Sequence, residues 1–435
     1  MRNRFLFFSM LGMLNFGVLF GMSIDESVEI ALKNNPDIKK VQLNQKVGDL
    51  SLKEHQAKNY GKINVIASYT HYNLPRTLVP LTPASIFVDP TAVATTKDLF
   101  SGGLVYDVAL FSGFAQKSDV EISSIQKLMS ESMLKLSREE LIYNIRSIYI
   151  NILSLKSQLS SQQEYIKALQ SLQKSVKMEV ELGKKSTLEL LKVQVSLQEA
   201  KSNKIKISSN ITSLKASLVS LMGVESIDGF EDVKVELKDT PSDTKKLSSL
   251  ERFHISSLMV EKSKKGINKA NATYYPQLNL NAYYGQNLGP NDDTNKNEGD
   301  WHNEEIWQAG VNLKWNLFDF GSKSAMSQKA EIAKLQAKLD DTKTKLEFKK
   351  LITQANSQIE SSKQNYESLK AQYTLSKETQ KIEQIRFDNG VNDINDLLLS
   401  KAKTQLALSQ MTNAKYQYKL QTYYLDYLLE NGDKR

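Results

Sequence analysis

The chain has 435 residues, 57 of them basic and 49 acidic, for a formal charge of +8; it has no cysteine and four histidines. This composition excludes disulfides, thiolate metal centres and acylation on a cysteine. Beyond the N-terminus no run reaches the ~20 apolar residues of a spanning helix, which excludes a helical membrane bundle. The lysines are scattered along helical stretches without a basic stripe carrying aromatics, so they read as solvated faces and no nucleic-acid partner is expected.

Arg2 and Arg4 precede an apolar run from Phe5 to Phe20, then Gly21-Met22-Ser23. A basic start followed by a short apolar run reads as a signal peptide over residues 1–22, although Leu19 stands where a small residue is usual before cleavage. Ser23 and Glu26 have capping-box spacing for a first helix, which Asn34-Asn35-Pro36-Asp37 interrupts. Ile38, Val41, Leu43, Val47 and Leu50 carry a second helix to Tyr60-Gly61. The second half has a counterpart: Phe253, Ile255, Leu258, Val260 and Ile267 lead to Tyr275-Pro276. These helices are expected to pack beside the return helices of two long hairpins.

The period then changes to two. Ile63, Val65, Ala67, Tyr69 and His71 alternate with Lys62, Asn64, Ile66, Ser68 and Thr70. Leu104, Tyr106, Val108 and Leu110 do the same around Asp107. In the second half Leu278, Leu280, Ala282 and Tyr284 alternate with Gln277, Asn279, Asn281 and Tyr283, and Val311, Leu313, Trp315 and Leu317 with Asn312, Lys314 and Asn316. Alternation predicts four strands, about 62–72, 103–111, 277–285 and 306–317, each with one apolar and one polar face. Polar, turn-rich loops separate the strands of each pair, Asn73 to Phe100 and Gly285 to Glu305.

After each strand pair the chain turns helical without interruption. No proline or glycine occurs from Ala115 to Leu182 or from Ser322 to Asn389. Leu141, Ile145, Ile148, Ile152, Leu155 and Leu159 step by fours and threes, and Phe348, Ile352, Ala355 and Ile359 repeat this more weakly. Heptad stepping predicts helices roughly 100 Å long at 1.5 Å per residue, each with a narrow seam for another helix. Each ends at a lone glycine, Gly183 or Gly390. Three residues on come helix starts at Ser186 and Asp393, with Glu189 and Asp396 at the third helical position. Return helices come next, as in Ile207, Ile211, Leu214, Leu218 and Leu221.

The landmarks recur at one offset. Leu110-Phe111, Gly183 and Glu189-Leu190-Leu191 fall on Leu317-Phe318, Gly390 and Asp396-Leu397-Leu398 after a shift of 207. The chain is therefore one large unit built twice. The expected division is 1–22 signal peptide; 23–222 first repeat with a helical hairpin at 113–222; 223–247 connecting segment; 248–435 second repeat with a hairpin at 319–429.

Four strands, apolar on one face and flanked by aromatics, fit outer-membrane barrel strands. Four cannot close a barrel alone, and an open edge in hydrocarbon leaves backbone groups unpaired at several kcal/mol each. Several copies must then share one barrel. Its lumen would be lined by Lys62, Asn64, Asp107, Asn279, Asn281 and Lys314.

In this order, duplicated, the motifs resemble the TolC-type outer-membrane efflux factors over essentially the whole mature length. They are Ala31-Leu32-Lys33-Asn34-Asn35-Pro36, Tyr275-Pro276-Gln277-Leu278, the two Leu-Phe landmarks, and the Gly183–Leu191 and Gly390–Leu398 turns. The resemblance implies a mainly α fold with a β-barrel part: long antiparallel helical hairpins forming a periplasmic barrel, plus four transmembrane strands per subunit. It implies a homotrimer with a twelve-stranded barrel in outer-membrane lipid. The partners it implies are a periplasmic adaptor (membrane fusion protein) and an inner-membrane transporter of RND, ABC or MFS type. The function it implies is an exit duct for an efflux pump or type I secretion system, passing drugs, detergents, metal ions or secreted proteins.

The resemblance also makes the glycine turns periplasmic tips. Gly183, Ser186, Glu189, Gly390, Asn392, Asp393 and Asp396 become gate candidates, with Asp396 forming a three-carboxylate ring. On the residues alone, both acids equally suit helix capping. Asn392 stands where some relatives have a bridging arginine, so the closing latch must lie elsewhere. No catalytic, cofactor-binding or metal residues are expected: the histidines, His55, His71, His254 and His302, form no ligand spacing, and no phosphate loop or Gly-x-Ser-x-Gly occurs. A non-channel periplasmic coiled-coil scaffold is the alternative.

Overall fold

Both halves of the chain fold into helix, strand pair and hairpin in the same order. In the computed structural model, described for residues 21–88, 93–237, 249–292 and 300–432, the first half holds α1 (Ile24–Asn34), α2 (Pro36–Ala57), β1 (Lys62–Thr77), α3 (Pro83–Val88), β2 (Thr95–Phe111), α4 (Ala115–Glu181) and α5 (Thr187–Met222). The second holds α6 (Glu251–Asn271), β3 (Gln277–Pro290), β4 (Trp301–Lys314), α7 (Ser322–Asp388) and α8 (Ile394–Leu428). The predicted signal peptide lies, through residue 20, outside the described residues, as do 238–248 of the connecting segment and the loop pieces 89–92 and 293–299.

The duplication extends to element ends. α4 and α7 are 67 residues each, and their first and last residues differ by the same 207 positions. Just before each helix two successive residues take left-handed backbone: Gly113 and Phe114 at φ 65° and 73°, and Phe320 and Gly321 at 56° and 95°. The glycine has changed places within the pair while the turn has been kept. Ser112 and Asp319 cap the starts of α4 and α7, accepting from the amides of Gln116 at 3.2 Å and Lys323 at 2.9 Å.

The chain forms two compact units, and each draws on both repeats. One comprises the N-terminal residues through Lys40, Lys135–Leu250 and Glu347 onward; the other comprises Val41–Leu134 and Glu251–Leu346. The first unit is helical. Of the predicted heptad positions on α4, Leu141, Ile145 and Ile152 are buried while Ile148, Leu155 and Leu159 are half-buried; further along, Leu169 and Val176 are fully buried. On α7 three of the four named positions, Phe348, Ala355 and Ile359, are buried, as are Ser362 and Phe387 further along. A fully buried Leu or Ile contributes about 1.5–3 kcal/mol, so two helices of this length hold together without propensity alone.

The Asn34-Asn35-Pro36 break is a joint. The Asn35 carboxamide oxygen accepts from the amides of Asp37 (2.8 Å) and Ile38 (3.0 Å), capping α2. Its Nδ2 donates to the Leu221 carbonyl on α5 at 2.8 Å. The capping box at Ser23 and Glu26 is complete. Ahead of it, Met22 forms a parallel bridge with Phe230. Tyr149 closes this corner, its hydroxyl 2.6 Å from the Met22 carbonyl and 2.8 Å from that of Glu231.

Burial pushes the phenols of Tyr149 and Tyr416 up to about 12 each; Tyr416 donates to Asp232 at 3.1 Å. A folded pKa raised above the unfolded value, about 10, makes a contribution that is intact below pH 10 and lost as pH rises through 12. Thermal stability is therefore expected to fall across pH 10–12. Tyr149→Phe should flatten part of that fall and cost about 1 kcal/mol at neutral pH, read from melting curves.

In the second unit, α2 and α6 pack beside the opening stretches of the long helices. Lys127 on α4 meets Asp49 on α2 at 3.1 Å, Lys269 on α6 meets Asp119 on α4 at 2.7 Å, and Ser256 on α6 meets Asp341 on α7 at 2.7 Å. α2 and α6, expected to pack beside the return helices, thus lie along α4 and α7 instead; it is α1 that packs on a return helix, α5, with Asn35 adding a hydrogen bond there. The four strands form one antiparallel sheet in the order β1-β2-β3-β4. They run further than the apolar alternation predicts, to Thr77 in β1 and Pro290 in β3, and β2 and β4 begin at Thr95 and Trp301. Ladder pairing continues after the side chains turn polar. Pro75 is accommodated because β1 is an edge strand, with a register irregularity between His71 and Arg76. β4 ends at Lys314, short of the expected 317.

Candidate functional sites

The sheet has two chemically distinct faces. Register pairs Ile63 with Tyr106, Val65 with Leu104, Leu104 with Tyr284 and Leu280 with Val311 on one side. Ile63, Val65, Leu104, Tyr284, Trp307, Val311 and Leu313 are all exposed there. On the other side Lys62 stands opposite Asp107, Asp107 opposite Asn281, Asn279 opposite Asn312, and Gln277 opposite Lys314. All six residues expected to line a lumen, Lys62, Asn64, Asp107, Asn279, Asn281 and Lys314, therefore share this polar face.

Three of its side chains form a rung across β2, β3 and β4. Asn281 Nδ2 donates to Asp107 Oδ1, and Asn281 Oδ1 accepts from Asn312 Nδ2 at 2.8 Å. Asn312 was not among the expected lining residues, although it lies on the polar face of the alternation. Aromatic side chains gather at one end of the apolar face: Tyr69 and Phe100 meet at 4.8 Å between centroids and Phe100 and Trp301 at 5.3 Å, the rings tilted by 36° and 42°.

The two glycine turns belong to the helical unit. At the first, Gly183 at φ 71° ends α4, and the amides of Lys184 and Lys185 donate to the Glu179 carbonyl at 2.8 and 3.3 Å. A left-handed residue here closes the orphan carbonyls of the last turn. Ser186 caps α5, its hydroxyl accepting from the Glu189 amide at 3.3 Å. Only this half of the expected capping box forms: the Glu189 carboxylate turns to Lys185, 3.9 Å away.

The second turn is built the same way. Gly390 at φ 70° ends α7, and the Val391 amide donates to the Arg386 carbonyl at 2.9 Å. Asp393 caps α8 through Asn395, accepting from its backbone amide at 2.5 Å and its Nδ2 at 2.7 Å. That backbone hydrogen bond holds the Asp393 carboxyl below the usual carboxylate range. Asp396 lies in the first turn of α8 but completes no capping box with Asp393. Its carboxylate is exposed and has no hydrogen bond or ion pair among the described residues. Asn392 donates to the Glu383 carboxylate and so braces the end of α7.

The two turns are packed together. Val193 and Leu197 of α5, Phe387 of α7, and Ile394, Leu397 and Leu398 of α8 form one buried cluster with Leu169 and Val176 of α4. Lys185 joins the turns: its ammonium stands 3.2 Å from the centroid of the Phe387 ring and 3.0 Å from the Glu179 carboxylate. Neither Lys185 nor Phe387 was expected to matter, because a cation and a ring in different turns share no sequence spacing. Around this core, Leu182, Leu188, Leu191, Val195, Val391 and Leu399 remain more than half exposed.

Comparison with known proteins identifies the architecture. The sequence profile of the outer membrane efflux protein family matches residues 28–224 and 256–428. The outer membrane protein TolC of Vibrio cholerae is 20% identical over 341 residues, 74% of each chain. Among solved structures, a membrane protein from Pseudomonas aeruginosa matches with a TM-score of 0.80 at 16% identity, covering 93% of both chains. The Campylobacter jejuni CmeC outer membrane channel matches with 0.77 at 17% identity, covering 94% of this chain and 86% of the other. With its duplicated long hairpins and two-faced sheet, the chain belongs to the outer membrane efflux protein family, whose members are outer-membrane channels and not enzymes.

Proposed function

We propose that three copies of this chain form one barrel and one helical conduit, a passive exit duct for an efflux pump or type I secretion system. One observation carries this reading. The sheet has an apolar and a polar face, yet β1 and β4 are edges with no strand beyond them among the described residues. In a bilayer the apolar face suits lipid, and the open edges require neighbours. Twelve shared strands suffice, since closed transmembrane barrels begin at about eight. The polar face, with Lys62, Asn64, Asp107, Asn279, Asn281 and Lys314, then lines the water-filled lumen.

The turns at Gly183 and Gly390 form the inner-facing gate in this reading. The exposed apolar residues around them, Leu188, Leu191, Val195 and Leu399, line a groove between α5 and α8 that suits burial against a periplasmic adaptor. An inner-membrane transporter would supply the cargo and the energy. Lys185, held over Phe387, supplies a link between the turns where Asn392 replaces the arginine of some relatives.

Purified protein in a planar bilayer is expected to give discrete ion currents; the scaffold alternative gives none. Asp396, exposed and three times repeated in a trimer, should set a negative field at the gate. Asp396→Ala is expected to reduce cation preference and weaken block by multivalent cations. Unchanged selectivity and block would remove Asp396 from the gate.

A further inference from the structure

The polar face of the sheet is interrupted at one level. Cross-strand neighbours there are Ile66, Gly103, Gly285 and Ile306, whereas the level beyond reads Ser68, Ser101, Asn287 and Glu304. Two glycines directly opposite each other leave a gap in this face. Tyr283, two residues before Gly285, fills it. A Cβ built on Gly103 would lie 2.7 Å from Tyr283 Cε2, and one on Gly285 2.7 Å from Tyr283 Cζ. The ring thus lies flat across the glycine pair, a diagonal contact between adjacent strands.

Beside the ring is a depression of about 550 Å³, lined among others by Ile66, Val105, Asp107, Tyr283, Gln308 and Asn312. Its carboxylate is held in place. Asp107 accepts from Asn281, which itself accepts from Asn312 at 2.8 Å. Lys62 stands opposite Asp107 in the register, but the two form no ion pair among the described residues. A fixed negative group therefore borders an aromatic face and two aliphatic side chains.

We infer that this depression is a contact site for organic cations bearing apolar groups. Asp107 meets the charge, the Tyr283 face meets charge and apolar groups together, and Ile66 and Val105 cover the apolar groups. The inference rests on reading the polar face as the lumen.

The test uses the channel carrying Asp396→Asn, so that the proposed Asp396 ring is absent. Tetrapentylammonium and tetramethylammonium are added to the outer side, and block of the current is measured. Tetrapentylammonium should block more tightly. Tyr283→Ser and Asp107→Asn should each weaken that block about tenfold, the scale of one lost contact, while Tyr283→Phe retains it. Equal block by the two ions, or block unchanged in Tyr283→Ser, overturns the inference. Since the chain has no cysteine, Ile66→Cys reports the face alone. Modification of the membrane-inserted protein by a charged, impermeant thiol reagent supports the lumen reading. No modification overturns that reading and the inference with it; modification together with unchanged block overturns the inference only.

Discussion

Leu397→Ala is expected to cost about 3 kcal/mol and to loosen the glycine turns before the rest of the helical unit opens. Leu397 is fully buried, in one cluster with side chains from α4, α5 and α7. Removing three carbons there leaves a cavity that four long helices cannot collapse around without shifting their seams. The expected readouts are faster amide exchange confined to residues around Gly183 and Gly390 and, in a bilayer, a larger and noisier current. Leu399, 54% exposed on the same helix, is the control: Leu399→Ala should change stability by less than about 0.5 kcal/mol. Equal effects of the two substitutions would mean that the cluster does not hold the turns together.

The glycines make a second, sharper contrast. Gly390 sits at φ 70° with open space where a Cβ would go. Gly390→Ala therefore meets only the intrinsic cost of a left-handed alanine, about 1–2 kcal/mol. Gly113 sits at φ 65°, but a Cβ there would collide with the Ala272 carbonyl oxygen and reach 3.0 Å from Tyr275 Cβ. Gly113→Ala adds a backbone collision to the same strain and is expected to cost upward of about 3 kcal/mol, with a large loss of folded protein. Denaturant midpoints of the two variants measure the difference. Similar midpoints would contradict the close approach at Gly113.

The same pair shows what the sequence could and could not disclose. Gly390, like Gly183, was visible as a landmark because it ends a long uninterrupted helix. That Phe114 and Phe320 share the left-handed turn was not, since nothing in a phenylalanine marks positive φ. The duplication and heptad stepping were legible because they are periodic, and α4 and α7 share their 207-residue offset to the residue. The polar sheet face was legible for the same reason: a period of two assigns a face without knowing the register.

The features that escaped depended on geometry that no periodic pattern records. The outer strand ends read as loops because their side chains are polar, yet the backbone ladder needs no apolar residue. Asp396 and Asn395 offer a capping aspartate two different neighbours, and only geometry shows that Asp393 takes the amides of Asn395. Lys185 and Phe387 lie about two hundred positions apart, in equivalent turns of the two repeats. Their contact arises because the hairpin cores pack on each other, which no local pattern records.

The reading as a channel depends most on the sheet completing itself with strands from other copies. The direct test is the mass of the particle extracted in mild detergent, with bound detergent subtracted. Three chains per particle is the predicted result. A stable particle of one chain, with the β1 and β4 edges left open, would contradict the account.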